Sequence, residues 1–140
     1  VTARIPARRG RRPDRGSMAV EVVILTPVLV AFVMLVVAFG RYVNVRGQVE
    51  AVARDAARAA SVERTAGQAQ AAADATVAAG ARTGTCSGAG LSGAFVAGGT
   101  VQVEVRCSVT MSDLGLIGVP GTVTVSGTSA APLDTYRRTG

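Results

Sequence analysis

The sequence has no histidine, no lysine and no tryptophan, and two tyrosines and three phenylalanines are its whole aromatic content. Without histidine it lacks the side chain most used as a general base and metal ligand at neutral pH. No nucleophile motif stands in its place, and Gly88-Ala89-Gly90 has none of the remaining residues of a phosphate loop. The chain is therefore read as a non-enzyme, with no catalytic residue, no metal ligand and no cofactor. Cysteine is nearly absent too: Cys86 and Cys107 are the only two, without the CxxC spacing of a zinc site. There is no internal repeat, and 140 residues give room for one modest domain rather than two.

Since lysine is missing, every base is an arginine, and the net charge of +6 would suit a nucleic-acid binder if it were spread over the chain. It is not. Arg4, Arg8, Arg9, Arg11, Arg12 and Arg15 precede Gly16 with only Asp14 against them, whereas nine arginines meet eight acidic residues from Ser17 onward. The basicity belongs to a leader, and an arginine-rich leader directly before an apolar run sets membrane orientation. No nucleic-acid partner is expected. With Pro6, Gly10 and Pro13 and little apolar content, residues 1–15 read as disordered.

Then the character changes. Val22 to Phe39 is a run of eighteen residues without a charge, extended to Ala19 past the single acid Glu21. At about 1.5 Å per residue, Ala19 to Phe39 is about 30 Å long, the thickness of a bilayer's hydrocarbon core. A domain this small has no interior able to cover such a helix on all sides. The implied partner is a membrane.

Beyond Gly40 the pattern is amphipathic. Val45, Val49, Val52, Ala56 and Ala59 recur at helical spacing, with Glu50–Arg54 and Asp55–Arg58 as supporting pairs on the polar side. The stripe fails at Glu63 and resumes through Ala66, Ala69, Ala73 and Val77, so a break between two helical segments is expected near Gly67. After Gly80 the period becomes that of a strand: Val101, Val103, Val105, Cys107 and Val109 alternate with Gln102, Glu104, Arg106, Ser108 and Thr110. Gly98-Gly99 reads as a hairpin turn with Ala94–Ala97 as its short partner strand. Thr122–Thr128 reads as a third strand. The connection from Met111 to Gly121 carries Leu114, Leu116, Ile117 and Val119 and is expected to fold back over the sheet.

The fold class is thus α+β: a long amino-terminal transmembrane helix continuing into an amphipathic helical region, then a small antiparallel sheet of about three strands. The expected division is a leader over 1–16, the span over 17–40, a helical stalk over 41–82 and a small β domain over 83–140. In a cytosolic protein Cys86 and Cys107 would be free thiols; on the exported side of a membrane a disulfide is the default. There it would tie the loop after the helices to the middle strand.

The segment Arg15-Gly16-Ser17-Met18-Ala19-Val20-Glu21 carries the functional reading. A carboxylate at the start of a membrane span costs on the order of 2–3 kcal/mol at depth, so it wants a reason. Either Glu21 marks the interface, or the chain is cut after Gly16. In the second case Glu21 lies one helical turn from a new amino terminus at Ser17 and neutralises an α-amino group, its own or a neighbour's. Pro27 cannot donate to the Val23 carbonyl and weakens the helix there, although spans tolerate proline without special purpose.

The stretch RGSMAVEVVILTPVLV resembles the amino-terminal segment of class III prepilin-like proteins, in particular the TadE-like pseudopilins of tight-adherence pilus systems. Gly16 matches the residue before the cut, Ser17 the new terminus, Glu21 the acidic residue and Pro27 the early proline. Ser17 stands where type IV pilins commonly carry a methylated phenylalanine, so methylation is not carried over. The resemblance implies a minor pilin-like subunit or assembly factor of a tight-adherence pilus or related secretion machine. It also implies its partners: a prepilin peptidase, other pilin-like subunits and an inner-membrane platform with its ATPase. The chain would be single-pass in the inner membrane, amino terminus cytoplasmic and carboxyl-terminal domain extracytoplasmic. Two other readings stand beside it, an unprocessed membrane anchor and a secreted disulfide protein with a cleaved signal peptide. The apolar run is long for a signal and ends in Phe39-Gly40-Arg41-Tyr42 without an A-x-A site.

Overall fold

The computed structural model describes residues 15–82 and 84–136, with side chains from residue 19 onward, so the expected disorder of the arginine-rich leader lies outside the described residues. Helix α1 (Arg15–Val62) is followed by helix α2 (Ala66–Gly80) and strands β1 (Thr85–Gly93), β2 (Thr100–Thr110) and β3 (Thr122–Pro132). This is the expected α+β class: a long apolar helix, a second helix and a three-stranded antiparallel sheet. The chain divides into two compact units, residues 1–33 and 34–140. The first contains the amino-terminal part of α1. The second, the head, contains everything else.

In the head, α1 ends where its pattern fails. Glu63 and Arg64 separate the helices, and Thr65 then caps α2: its hydroxyl accepts from the Gln68 backbone N–H at 3.2 Å and donates to the Gln68 side chain at 3.2 Å. That Thr-x-x-Gln arrangement satisfies an amide the new helix would leave open. The buried face of α1 differs from the expected stripe. Val45, Val49, Ala53, Ala56, Ala57 and Ala60 are buried, while Val52 and Ala59 are only half-covered. Between residues 51 and 60 six alanines leave no contrast of size to mark one face, so packing chooses it. In α2 the inward residues are Ala69, Ala73 and Val77, and Ala66, at the helix start, is exposed. Glu50 pairs with Arg46 a turn earlier, at 3.1 Å, rather than with Arg54.

The strands run in the order β1-β2-β3, each antiparallel to its neighbour. Val101, Val103, Val105, Cys107 and Val109 are buried as their alternation requires, and their β3 partners Ala131, Ser129, Gly127, Val125 and Val123 share that face. The opposite face is wet, made of Gln102, Glu104 and Arg106 with Ser108, Ser126 and the threonines of β2 and β3. The partner of β2 is not Ala94–Ala97. Thr85–Gly93 takes that place, and residues 94–99 form a loop closed by the Gly99 N–H on the Val96 carbonyl at 2.9 Å. Gly, Ser and Ala dominate β1, so it shows no alternation of its own and is held as a strand by its neighbours. The third strand runs past the expected Thr128 to Pro132.

The inward faces of both helices and of the sheet meet in one core. Its fully buried side chains are no larger than valine, namely Val77, Val101, Val103, Val105 and Val109, with Cys107. Small side chains let backbones come close. At Gly127 a Cβ would stand 2.9 Å from the Val49 carbonyl oxygen and 3.0 Å from the Glu50 Cα, so α1 rests directly on β3 there. The connection 111–121 folds back through Leu114, which is buried; Leu116 is half-covered, and Ile117 and Val119 face outward.

Candidate functional site

The segment singled out by sequence lies at the start of α1. Gly16 and Ser17 fall in its first turn, where amide groups have no partner within the helix and unwinding costs least. Glu21 follows one turn later, with its side chain exposed and without a partner among the described residues. From Val22 to Phe39 every side chain is exposed except that of Ala38, which is half-covered. So much contiguous apolar surface is far beyond what a water-soluble monomer tolerates. A helix closes its own backbone hydrogen bonds, so a hydrocarbon environment suits it.

Pro27 is accommodated without ending the helix. Beside it the Thr26 hydroxyl donates to the Val22 carbonyl at 2.6 Å, which hides that polar group where no water would reach it. The Val23 carbonyl has no N–H opposite it, because residue 27 is a proline. These residues do not converge on a pocket; they form a linear segment along one helix.

In the head, Cys86 and Cys107 face each other across β1 and β2 and are joined in a disulfide. Two polar features are not evident from sequence patterning. The first is a clamp on the irregular part of β1, where the register shifts between Ser87 and Gly90. Asp74 accepts from the Ala89 N–H at 2.7 Å, while Gln70 donates to the Ala89 carbonyl at 2.6 Å and to Asp74 at 3.0 Å. The i,i+4 spacing of Gln70 and Asp74 on an otherwise alanine-rich helix is the trace it leaves in the sequence. The second is Arg41, which reaches from α1 to the Asp113 carbonyl at 3.3 Å.

Together these features define a class: a chain with one helix long and apolar enough to cross a membrane among the described residues, joined to a small disulfide-tied α+β head. This is the layout of a single-pass membrane protein. Residues 16–58 match the model of the TadE-like protein family, so this chain is TadE-like from Gly16 through the apolar run and into the alanine-rich part of α1. The rest of the head lies outside the match, and no curated protein or solved structure matches the chain.

Proposed function

We propose that this chain is a minor pilin-like subunit or assembly factor of a tight-adherence pilus or related secretion machine, cut by a prepilin peptidase after Gly16. It sits in the inner membrane with its amino terminus cytoplasmic and its head outside, the orientation that six arginines before the span favour. Its partners are the peptidase, other pilin-like subunits and the inner-membrane platform. The observation that carries the reading is the family match, which begins at Gly16 and runs through Glu21, Pro27 and the whole apolar run.

The chemistry of the segment fits that role. Cutting after Gly16 leaves an ammonium at Ser17, at the end of a helix whose aligned dipoles already supply about half a positive charge. Glu21, one turn inward, is the nearest carboxylate able to compensate both. A neighbour's ammonium would be met equally well, which favours one axial register between subunits in a low-dielectric setting. Amino-terminal sequencing of the membrane-extracted protein tests the cut. Ser17 should be the first residue, and Gly16→Phe should retain the leader. Glu21→Gln should be cut normally yet fail to co-purify with the pilus machinery. A wild-type protein that keeps its leader arginines beside an active peptidase defeats this reading and leaves an unprocessed anchor.

A further inference from the structure

The connection between β2 and β3 is an apolar loop with an unusual construction. It carries no charge after Asp113, and the next charged residue is Asp134. Ile117 is 83% exposed and Val119 50% exposed, whereas Leu114 at the base of the loop is buried. The loop is also closed on itself. Met111 N–H donates to the Gly121 carbonyl at 3.0 Å, Gly115 N–H to Ser112 at 2.9 Å, Leu116 N–H to Met111 at 3.0 Å and Val119 N–H to Leu116 at 3.2 Å. Gly115 and Gly118, with φ of 88° and 90°, supply the left-handed turns this closure needs. Much of the loop's backbone hydrogen bonding is thus met internally, as partial removal from water requires.

Its position adds a direction. Arg41 holds the Asp113 carbonyl, and Leu114 and Val123 share one open apolar hollow with Leu35, Phe39 and Tyr42 of α1. Leu35 to Tyr42 covers about 10 Å of helix axis. The base of the loop therefore lies beside the last turns of the apolar run, with Asp113 and Gly115 against the Arg41 side chain. Arginine and tyrosine at that height are the side chains that settle at a bilayer's polar boundary.

We propose that residues 114–120 seat the head on the bilayer, lowering Ile117 and Val119 into the leaflet on the head's side. The occupant of this surface is lipid, because the hollow is continuous with helix surface that the same bilayer covers. The proposal rests on the membrane-spanning reading of α1. It gives the head a fixed height and tilt against the membrane, with the loop and α1 as two points of contact.

The chain's lack of tryptophan makes the test direct. Three single-tryptophan variants of the full chain, Leu35→Trp, Ile117→Trp and Val96→Trp, are placed in phosphatidylcholine vesicles with bromine near the headgroup end of the acyl chains. Val96 is exposed on the loop before β2 and serves as a head residue without this placement. Leu35→Trp and Ile117→Trp should each lose about half or more of their emission, as for groups seated about 5–10 Å into the boundary, while Val96→Trp is unchanged. Quenching at Leu35 without quenching at Ile117 overturns the loop proposal and leaves the span intact. Absence of quenching at Leu35 removes the span, and the loop proposal with it. Quenching at Val96 as well means the head lies on lipid without using this loop in particular, and defeats the proposal. A blue-shifted but unquenched Ile117→Trp whose shift grows with protein density assigns the surface to a second copy instead.

Discussion

Gly127 and Asp74 show how much of the head rests on single side chains, or on the lack of one. The backbone of α1 stands where a Cβ on residue 127 would be, so Gly127→Ala must push the helix off β3. Overpacking of that kind costs about 1–3 kcal/mol, and Gly127→Val should cost more; denaturant midpoints of the solubilised head measure both. Asp74→Ala leaves the Ala89 N–H without its acceptor and frees Gln70 from one partner. A loss of about 1–3 kcal/mol is expected, with Asp74→Asn recovering part of it. Little of this could be read from sequence. Gly127 sits in a run of threonine, serine and alanine that says only "strand", and its role depends on which helix turn lands above it. The place of Glu21 was legible for the opposite reason: a lone acid at the edge of an apolar run has its surroundings set before any tertiary contact forms, while its role is the proposal made above.

Among the elements, β2 was legible and β1 was not. Val101 to Val109 alternate on a strict period of two and occupy the central position, where both edges are paired. Strand β1 has glycine at residues 88, 90 and 93, a register shift and a polar clamp in place of a regular ladder. Its identity comes from outside it, from Cys107 across the sheet and from α2 beneath. The helix break at 63–65 was visible because the alanine stripe changed phase there, whereas the buried face between 51 and 60 was not, because alanine occupies both faces. The disulfide joins the poorly specified strand to the well-specified one. With its cysteines 21 positions apart in sequence, its loop closure is worth about 3 kcal/mol. Reduction, or the double change of Cys86 and Cys107 to serine, should lower the head's stability by about that amount and expose β1 first. Hydrogen exchange of the β1 amides, compared with β2, measures it. Two thiols per chain labelled in denatured, unreduced native protein would remove the bond altogether.

For the molecule as a whole, the apolar run and the charge asymmetry around it make one topological expectation. Six arginines precede the span, and Arg41 and Arg46 are the bases within ten residues after it. A reporter active only outside the cytoplasm, fused after Tyr136, should be active; activity of a cytoplasm-dependent reporter at that site would reverse the orientation and leave the disulfide without an oxidising compartment. The class of fold was legible at this scale because periodicity of 3.6, then 2, is written in long segments. How the connection 111–121 sits was legible only in part. Leu114 turned inward as its type suggests, but the placing of Ile117 depends on two glycine turns and a contact from Arg41.

The order of the strands has a consequence in time. Strand β2 is the middle of the sheet and also the middle of the three in sequence, with β1 before it and β3 after. A head delivered across a membrane from residue 41 onward presents both cysteines while β3 is still in transit. The covalent ring between residues 86 and 107 needs no residue of β3, so oxidation can precede completion of the sheet. In that sequence of events the bond is a staging post: it holds the first hairpin, and the vacant edge of β2 awaits the last strand to arrive.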